Sequence, residues 1–254
     1  MLPNKENMFY DCHLHFPIKM SEPVVHLLKE LDGNTNLKGF VLILNSSMEE
    51  ELYLKNIEFF QERNYIPAFL LDVNSEICCE KFKKLEDMGM KYVIKIHPRI
   101  SKIIRDDFAR IKESLEQLSF QTVIVDNWFF GSRIENHIGT ELAIYIAERF
   151  PDKAVVSAHA GGCRIVECML LTRPIKNIFY DLSLTQMYFK GSSLEMDIDY
   201  FIKWTSERIL FGSDYPDFGI SEAWNAFREH YDNAGQIDKL SDSSELARKI
   251  YGLK

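Results

Sequence analysis

Eight short apolar runs punctuate the chain: MFYDC (8–12), GFVLIL (39–44), YIPAFLL (65–71), YVIKI (92–96), TVIVD (122–126), AVVSA (154–158), IFYDL (178–182) and RILFG (208–212). Their starts lie about 25–30 residues apart, the spacing of βα units. The runs are nearly continuous in apolar residues, as parallel strands covered on both faces require. Between them the period changes. Val24, Leu27, Leu28 and Leu31 follow i, i+3, i+4, i+7, with Gly33 just beyond. Phe108, Ile111, Leu115 and Leu118 form a second stripe, and Phe82, Leu85 and Met88 run up to a C-terminal stop at Gly89. Ser221 is placed to cap a helix carrying Trp224, Phe227 and Tyr231.

Eight βα units in 254 residues predict one (β/α)8 TIM barrel spanning 1–254 as a single domain. The main competitor is a doubly wound sheet, whose first βα turn usually carries a glycine-rich phosphate loop. Here that turn reads HLHFPIKMS, without glycine. No low-complexity linker divides the chain.

Composition narrows the function classes. Hydrophobic residues make up 46%, enough for a sizeable core. The net charge of -8 argues against nucleic acid or an anionic membrane as a partner. No apolar run reaches the roughly 18 residues of a membrane span. The opening MLPNKENMFYD lacks the apolar core of a secretory signal. The cysteines Cys12, Cys78, Cys79, Cys163 and Cys168 are odd in number and show no CxxC spacing. They read as reduced thiols of a cytoplasmic protein.

In a (β/α)8 barrel the chemistry sits at the C-terminal ends of the strands. Strand 1 ends in Asp11, His13 and His15, strand 4 in Lys95 and His97, strand 5 in Asp126, strand 6 in His159 and strand 8 in Asp214. Four of the seven histidines therefore fall at strand ends, leaving His26, His137 and His230 in helical stretches. His13 and His15, one residue apart, point the same way on a strand. With Asp214 they could hold a divalent metal that acidifies bound water. Asp214 could also take a proton from that water, and His159 could polarise a carbonyl or protonate a leaving group. Asp11 reads as a loop-holding hydrogen-bond acceptor.

DCHLH at strand 1, SAHAGG at strand 6 and RILFGSDYP at strand 8 resemble the amidohydrolase superfamily. The resemblance is to the amidohydrolase-related group that includes aminocarboxymuconate-semialdehyde decarboxylase and pyrone-dicarboxylate lactonase, and it runs from residue 8 to about residue 231. TatD-type nucleases are less similar at strand 8. The resemblance implies a (β/α)8 barrel, and a divalent metal, zinc first, on His13 and His15 with Asp214 as a further ligand or proton acceptor. It implies that His159 contacts substrate or metal-bound water. The reactions it implies are hydrolyses of C–N, ester or lactone bonds, with a few decarboxylations, and a homodimer would accord with it. One departure stands out: the group often carries a histidine where this chain has Asp126. Asp126 as an oxygen ligand would favour manganese or iron alongside zinc; weak metal binding and a metal-free lactonase are the competing readings. In other branches a strand 4 lysine is carboxylated between two metals, but Lys95 is expected to pair with an acid such as Asp126.

Arg99, Arg133 and Arg164 follow strands 4, 5 and 6. Guanidinium groups grip carboxylates bidentately, so an anionic small substrate is expected. Lys95, His97 and Trp128 complete the expected substrate contacts. Trp128, Phe129, Phe130, Tyr188 and Phe189 either line an apolar wall or pack the loops on one another. The leading expectation is a metal-dependent hydrolase of a small carboxylated molecule. A metal-independent lactonase, a decarboxylase and a catalytically silent binding barrel follow it.

Overall fold

The computed structural model describes residues 8–75 and 78–254; most of the opening stretch read above for a secretory signal, residues 1–7, lies outside them. Each apolar run forms a strand: β1 (Phe9–Leu14), β2 (Leu37–Leu44), β3 (Tyr65–Leu70), β4 (Val93–Ile96), β5 (Thr122–Asp126), β6 (Ala154–Ala158), β7 (Ile178–Asp181) and β8 (Ile209–Leu210). They pair in parallel in sequential order. Beyond the two residues of β8 the sheet closes on β1: Cys12 N–H donates to Phe211 O, Asp214 N–H to His13 O and His15 N–H to Tyr215 O, each at 2.8 Å. Sequential order and closure define a (β/α)8 barrel and dismiss the doubly wound alternative.

The helices follow the strands: α1 (Pro23–Gly33), α2 (Ser47–Lys55), α3 (Cys78–Asp87), α4 (Phe108–Glu116), α5 (Gly139–Arg149), α6 (Ile165–Thr172), α7 (Thr185–Tyr188), α8 (Leu194–Thr205), α9 (Ile220–Asn233) and α10 (Leu240–Tyr251). Pro23 opens α1, where its fixed φ suits a first turn. Ser221 does not cap α9. The helix begins one residue earlier, its Ile220 N–H donates to Glu30 Oε1 at 3.0 Å, and the Ser221 hydroxyl donates to Asn34 instead. No helix among the described residues is long and apolar enough to cross a membrane.

Alternation along the strands builds two cores. Phe40, Leu42, Leu44, Ile94, Ile96, Val123 and Val125 face outward against the helices. Val41, Ile43, Ala68, Val93, Ile124 and Val156 fill the barrel interior. By the same two-residue period, Lys95 follows Val93 and Asp126 follows Ile124 up the inner wall. The N-terminal end of the barrel is sealed by the last turn of α10 and the chain beyond it. Ile250, Tyr251 and Leu253 are buried there, Thr122 Oγ1 donates to Ile250 O, and Tyr10 OH donates to Lys254 O.

Candidate active site

Tyr10 and Cys12 belong to the interior core, so strict alternation would turn His13 away from the barrel. The register between β1 and β2 instead shifts between Asp11 and Leu14. Such an irregularity re-aims side chains at a strand end. Asp11 holds it: buried Oδ1 accepts the N–H of His13 at 3.1 Å and of Ser213 at 3.0 Å, joining β1 to the chain after β8. Burial pushes the Asp11 carboxyl up to about 7, against the pull of its bonds to Ser213 and His13. Gly212 permits the same approach, since a Cβ there would lie 2.8 Å from that of His13 and 2.9 Å from that of Ser183.

His13 and His15 therefore enter the mouth together, in an open pocket of about 520 Å³ that also takes in His97, Arg99, Asp126, Trp128, His159 and Asp214. This lies in the usual range for small-molecule sites. Nε2 of His13 is 3.7 Å from Asp214 Oδ1, and Nε2 of His15 is 3.4 Å from the same oxygen. The His159 ring centre is 4.9 Å from that of His13. Both His159 (φ 59°) and Asp214 (φ 59°) adopt left-handed backbone, which for a non-glycine residue costs about 1–2 kcal/mol. Thr185 Oγ1 donates to His159 O at 2.6 Å, and the His13 O bond to Asp214 N–H anchors the other.

The second half of the pocket is organised around Asp126. Its Oδ2 lies 3.2 Å from His159 Nε2, 3.4 Å from His97 Nε2 and 3.7 Å from Lys95 Nζ, and its Oδ1 lies 3.8 Å from Arg99. Burial alone would raise the Asp126 carboxyl, but His97, Lys95 and His159 hold it well below the ordinary range. His159 is raised to about 9: burial opposes its charge, and the hydrogen bond and charge of Asp126, with the charges of Asp214 and Asp181, together outweigh it. His97 falls to about 3 and His13 to about 4, each chiefly through burial. Asp214 is buried, yet His15, His159 and His13 keep it below the usual carboxylate range.

The structure thus brings His13, His15, Lys95, His97, Arg99, Asp126, Trp128, His159 and Asp214 together. It does not assemble the expected ligand quartet. One ligand atom each from His13, His159 and Asp214 lies within 4.8 Å of the others, and all three residues are buried. Asp126 and His15 lie outside this set, Asp126 facing His159, His97, Lys95 and Arg99 and His15 lying 3.4 Å from Asp214, while His159 belongs to it. Lys95 is fully buried beside Asp126, the pairing expected of it, with no hydrogen-bond partner for Nζ among the described residues. Arg133 and Arg164 do not line this pocket, although Arg164 lines a smaller cavity that shares Arg99, Asp126 and Trp128 with it. Arg133 is exposed in the loop after β5, and Arg164 pairs with Glu167 one turn along. The aromatic residues do both things expected: Trp128, Phe130 and Tyr188 line the pocket, while Trp128 packs on Tyr188 and Phe189.

One residue not read from the sequence stands at the centre. Asp181, at the end of β7 and fully buried, accepts from His13 Nδ1 at 2.9 Å, from the N–H of Ser183 at 3.0 Å and of His159 at 3.3 Å, and from the Ser183 hydroxyl. An acid closing the apolar run IFYDL was the available signal, the same one that marks Asp126 in TVIVD.

A three-residue nitrogen–nitrogen–oxygen set opening onto this pocket suits a catalytic divalent metal. The tautomer fits too. Burial would raise the Asp181 carboxyl, but His13, His159 and Ser183 together lower it to about 2, and a carboxylate 2.9 Å from Nδ1 of His13 favours the tautomer with the proton on Nδ1 and a lone pair on Nε2.

Comparison of the structure with solved proteins returns the same architecture. Dihydroorotase from Saccharomyces cerevisiae matches with a TM-score of 0.69 and 11% identity, over 98% of this chain and 85% of that one. A TatD homologue from Escherichia coli matches at 0.63 and 14%, over 98% and 100%. 5-Carboxyvanillate decarboxylase from Sphingomonas paucimobilis matches at 0.55 and 14%, over 90% and 83%. These are amidohydrolase-superfamily barrels, and the chain has their fold. No protein-family model and no curated protein matches the sequence.

Proposed function

We propose that this protein is an amidohydrolase-type enzyme, a hydrolase or decarboxylase, and within that class a hydrolase of a small carboxylated molecule. The observation that carries this reading is the convergence of His13, His159 and Asp214 at the base of the open pocket. These three would hold a divalent cation, with His15 at their flank. Zinc is the first expectation, as for nitrogen-rich sites generally. A bound cation would supply Lewis acidity toward a carbonyl and a lowered pKa for water.

The remaining chemistry belongs to the chain. Asp214, ionised and next to the pocket, accepts a proton from the attacking water. Lys95 and Arg99 set two positive charges against the single carboxylate of Asp126, which leaves this half of the pocket suited to an anion. Of the two, Arg99 lines the open pocket and grips the substrate carboxylate. Trp128, Phe130 and Tyr188 offer apolar faces to the body of the substrate.

Elemental analysis of untagged protein, joined to a hydrolysis screen of carboxylated lactones and amides, tests the reading. Near-stoichiometric divalent metal is expected, lost together with hydrolysis in His13→Ala and restored to neither by added metal. Protein that takes up no divalent ion, or that hydrolyses equally well after chelation, overturns it.

A further inference from the structure

Asp181 differs from the other acids of the site in how its two oxygens are used. Oδ1 meets three donors: the Ser183 N–H, the Ser183 hydroxyl and the His159 N–H. Oδ2 meets one, Nδ1 of His13. Asp181 and Ser183 are both fully buried, so no solvent competes for these bonds. A carboxylate only accepts, which obliges Nδ1 of His13 to donate. The opposite ring nitrogen is then bare, and it is the one that faces Asp214.

We propose that Asp181 is a positioning residue that sets the tautomer of His13 and thereby keeps a lone pair on the pocket side. The inference rests on the proposed function for the purpose of that lone pair, but its first test is independent of any cation.

The asymmetry of Asp181 makes the prediction sharp. In Asp181→Asn the shape is kept and one oxygen becomes an amide N–H2. Two backbone N–H groups and a hydroxyl point at the Oδ1 position, so the amide oxygen must stay there. Turning the amide round would set donor against donor and leave buried N–H groups unpaired. The amide N–H2 therefore faces Nδ1 of His13 and donates to it. His13 responds by carrying its proton on Nε2, and its lone pair leaves the pocket. Ser183→Ala is the contrasting change: it removes a neighbour of Asp181 but leaves an ionised carboxylate on His13.

The experiment is long-range proton–nitrogen NMR on the full chain with nitrogen-15-labelled histidine, the His13 signals being assigned by their loss in His13→Asn. The wild type and Ser183→Ala are expected to show His13 protonated on Nδ1, and Asp181→Asn to show it protonated on Nε2. Wild-type protein with His13 protonated on Nε2 overturns the proposal, and so does an unchanged tautomer in folded Asp181→Asn. If Asp181→Asn does not fold, the wild-type and Ser183→Ala tautomers decide. A Co2+ titration followed by visible absorption adds the functional arm. Loss of a bound histidine lone pair should weaken binding at least about 100-fold in Asp181→Asn, the upper end of effects seen for residues that orient metal ligands. Equal Co2+ affinity in the two proteins counts against the proposal. Wild-type protein that binds no Co2+ while showing the stated tautomers supports the role of Asp181 and overturns the proposed function.

Discussion

His159 presents Nε2 to Asp126 Oδ2 at 3.2 Å while its Nδ1 donates to Ser183 O at 2.9 Å. Both nitrogens face acceptors, so without a cation the ring holds two protons, in accord with its rise to about 9. A cation that takes Nε2 displaces one of them. Divalent-metal affinity is therefore expected to rise about tenfold per pH unit up to about pH 9 and to level off above it. Calorimetry in two buffers of different ionisation enthalpy counts the released proton. The same raised value stabilises the metal-free fold fully below the ordinary 6.5, and that contribution is lost as pH climbs through about 9. Flat metal affinity across this window would contradict the arrangement.

Asp126 is the counter-charge for a lysine with no access to water. Asp126→Asn leaves Lys95 charged and unpaired, and a loss of about 3–5 kcal/mol is expected in urea denaturation. Adding Lys95→Met should recover a large part of it, because the orphaned charge is then gone. If the double variant is as unstable as the sum of the single ones, the two residues are not coupled.

Gly212 lets the chain after β8 lie against His13 and Ser183. Gly212→Ala is expected to cost about 1–3 kcal/mol by overpacking. It should also shift His13, so metal affinity falls while the circular dichroism of the barrel persists. Wild-type affinity in this variant would show that the contact relaxes elsewhere.

Arg99 is the one of the three expected arginines that lines the pocket. For a carboxylated substrate returned by the hydrolysis screen, Arg99→Ala should raise KM by about 10–100-fold, the worth of a charge-assisted hydrogen bond. Arg133→Ala and Arg164→Ala should leave KM unchanged. A rise with Arg164→Ala would mean that its pairing with Glu167 is broken when substrate binds.

The eight strands were legible because both faces of each are buried, which leaves unbroken runs such as GFVLIL and TVIVD. The site was legible where a polar residue ends such a run, as with Asp126, His159 and Asp214. What alternation could not show is the register shift in β1, since Cys12 and His13 are consecutive and yet both turn toward the axis. Asp181 ends its run in the same way, and what stayed hidden is its role: its partners come from β1, the chain after β6 and its own loop, and pairing across strands leaves no mark in local spacing. The paths of the loops decide the fate of Arg133 and Arg164, and loop paths follow from tertiary packing rather than from distance to a strand end. Ser221 shows the same limit on a smaller scale, because the side chain that satisfies the start of α9 is Glu30, far away in sequence.

The sealed N-terminal end of the barrel bears on turnover. With Ile250, Tyr251 and Leu253 buried across it, the described residues leave the pocket no passage through that end, and it opens at the C-terminal ends of the strands. Whatever leaves must pass where the next molecule arrives. In an enzyme built this way, product and substrate contend for one entrance, and a carboxylated product held by Arg99 would act as a competitive inhibitor of the reaction that made it.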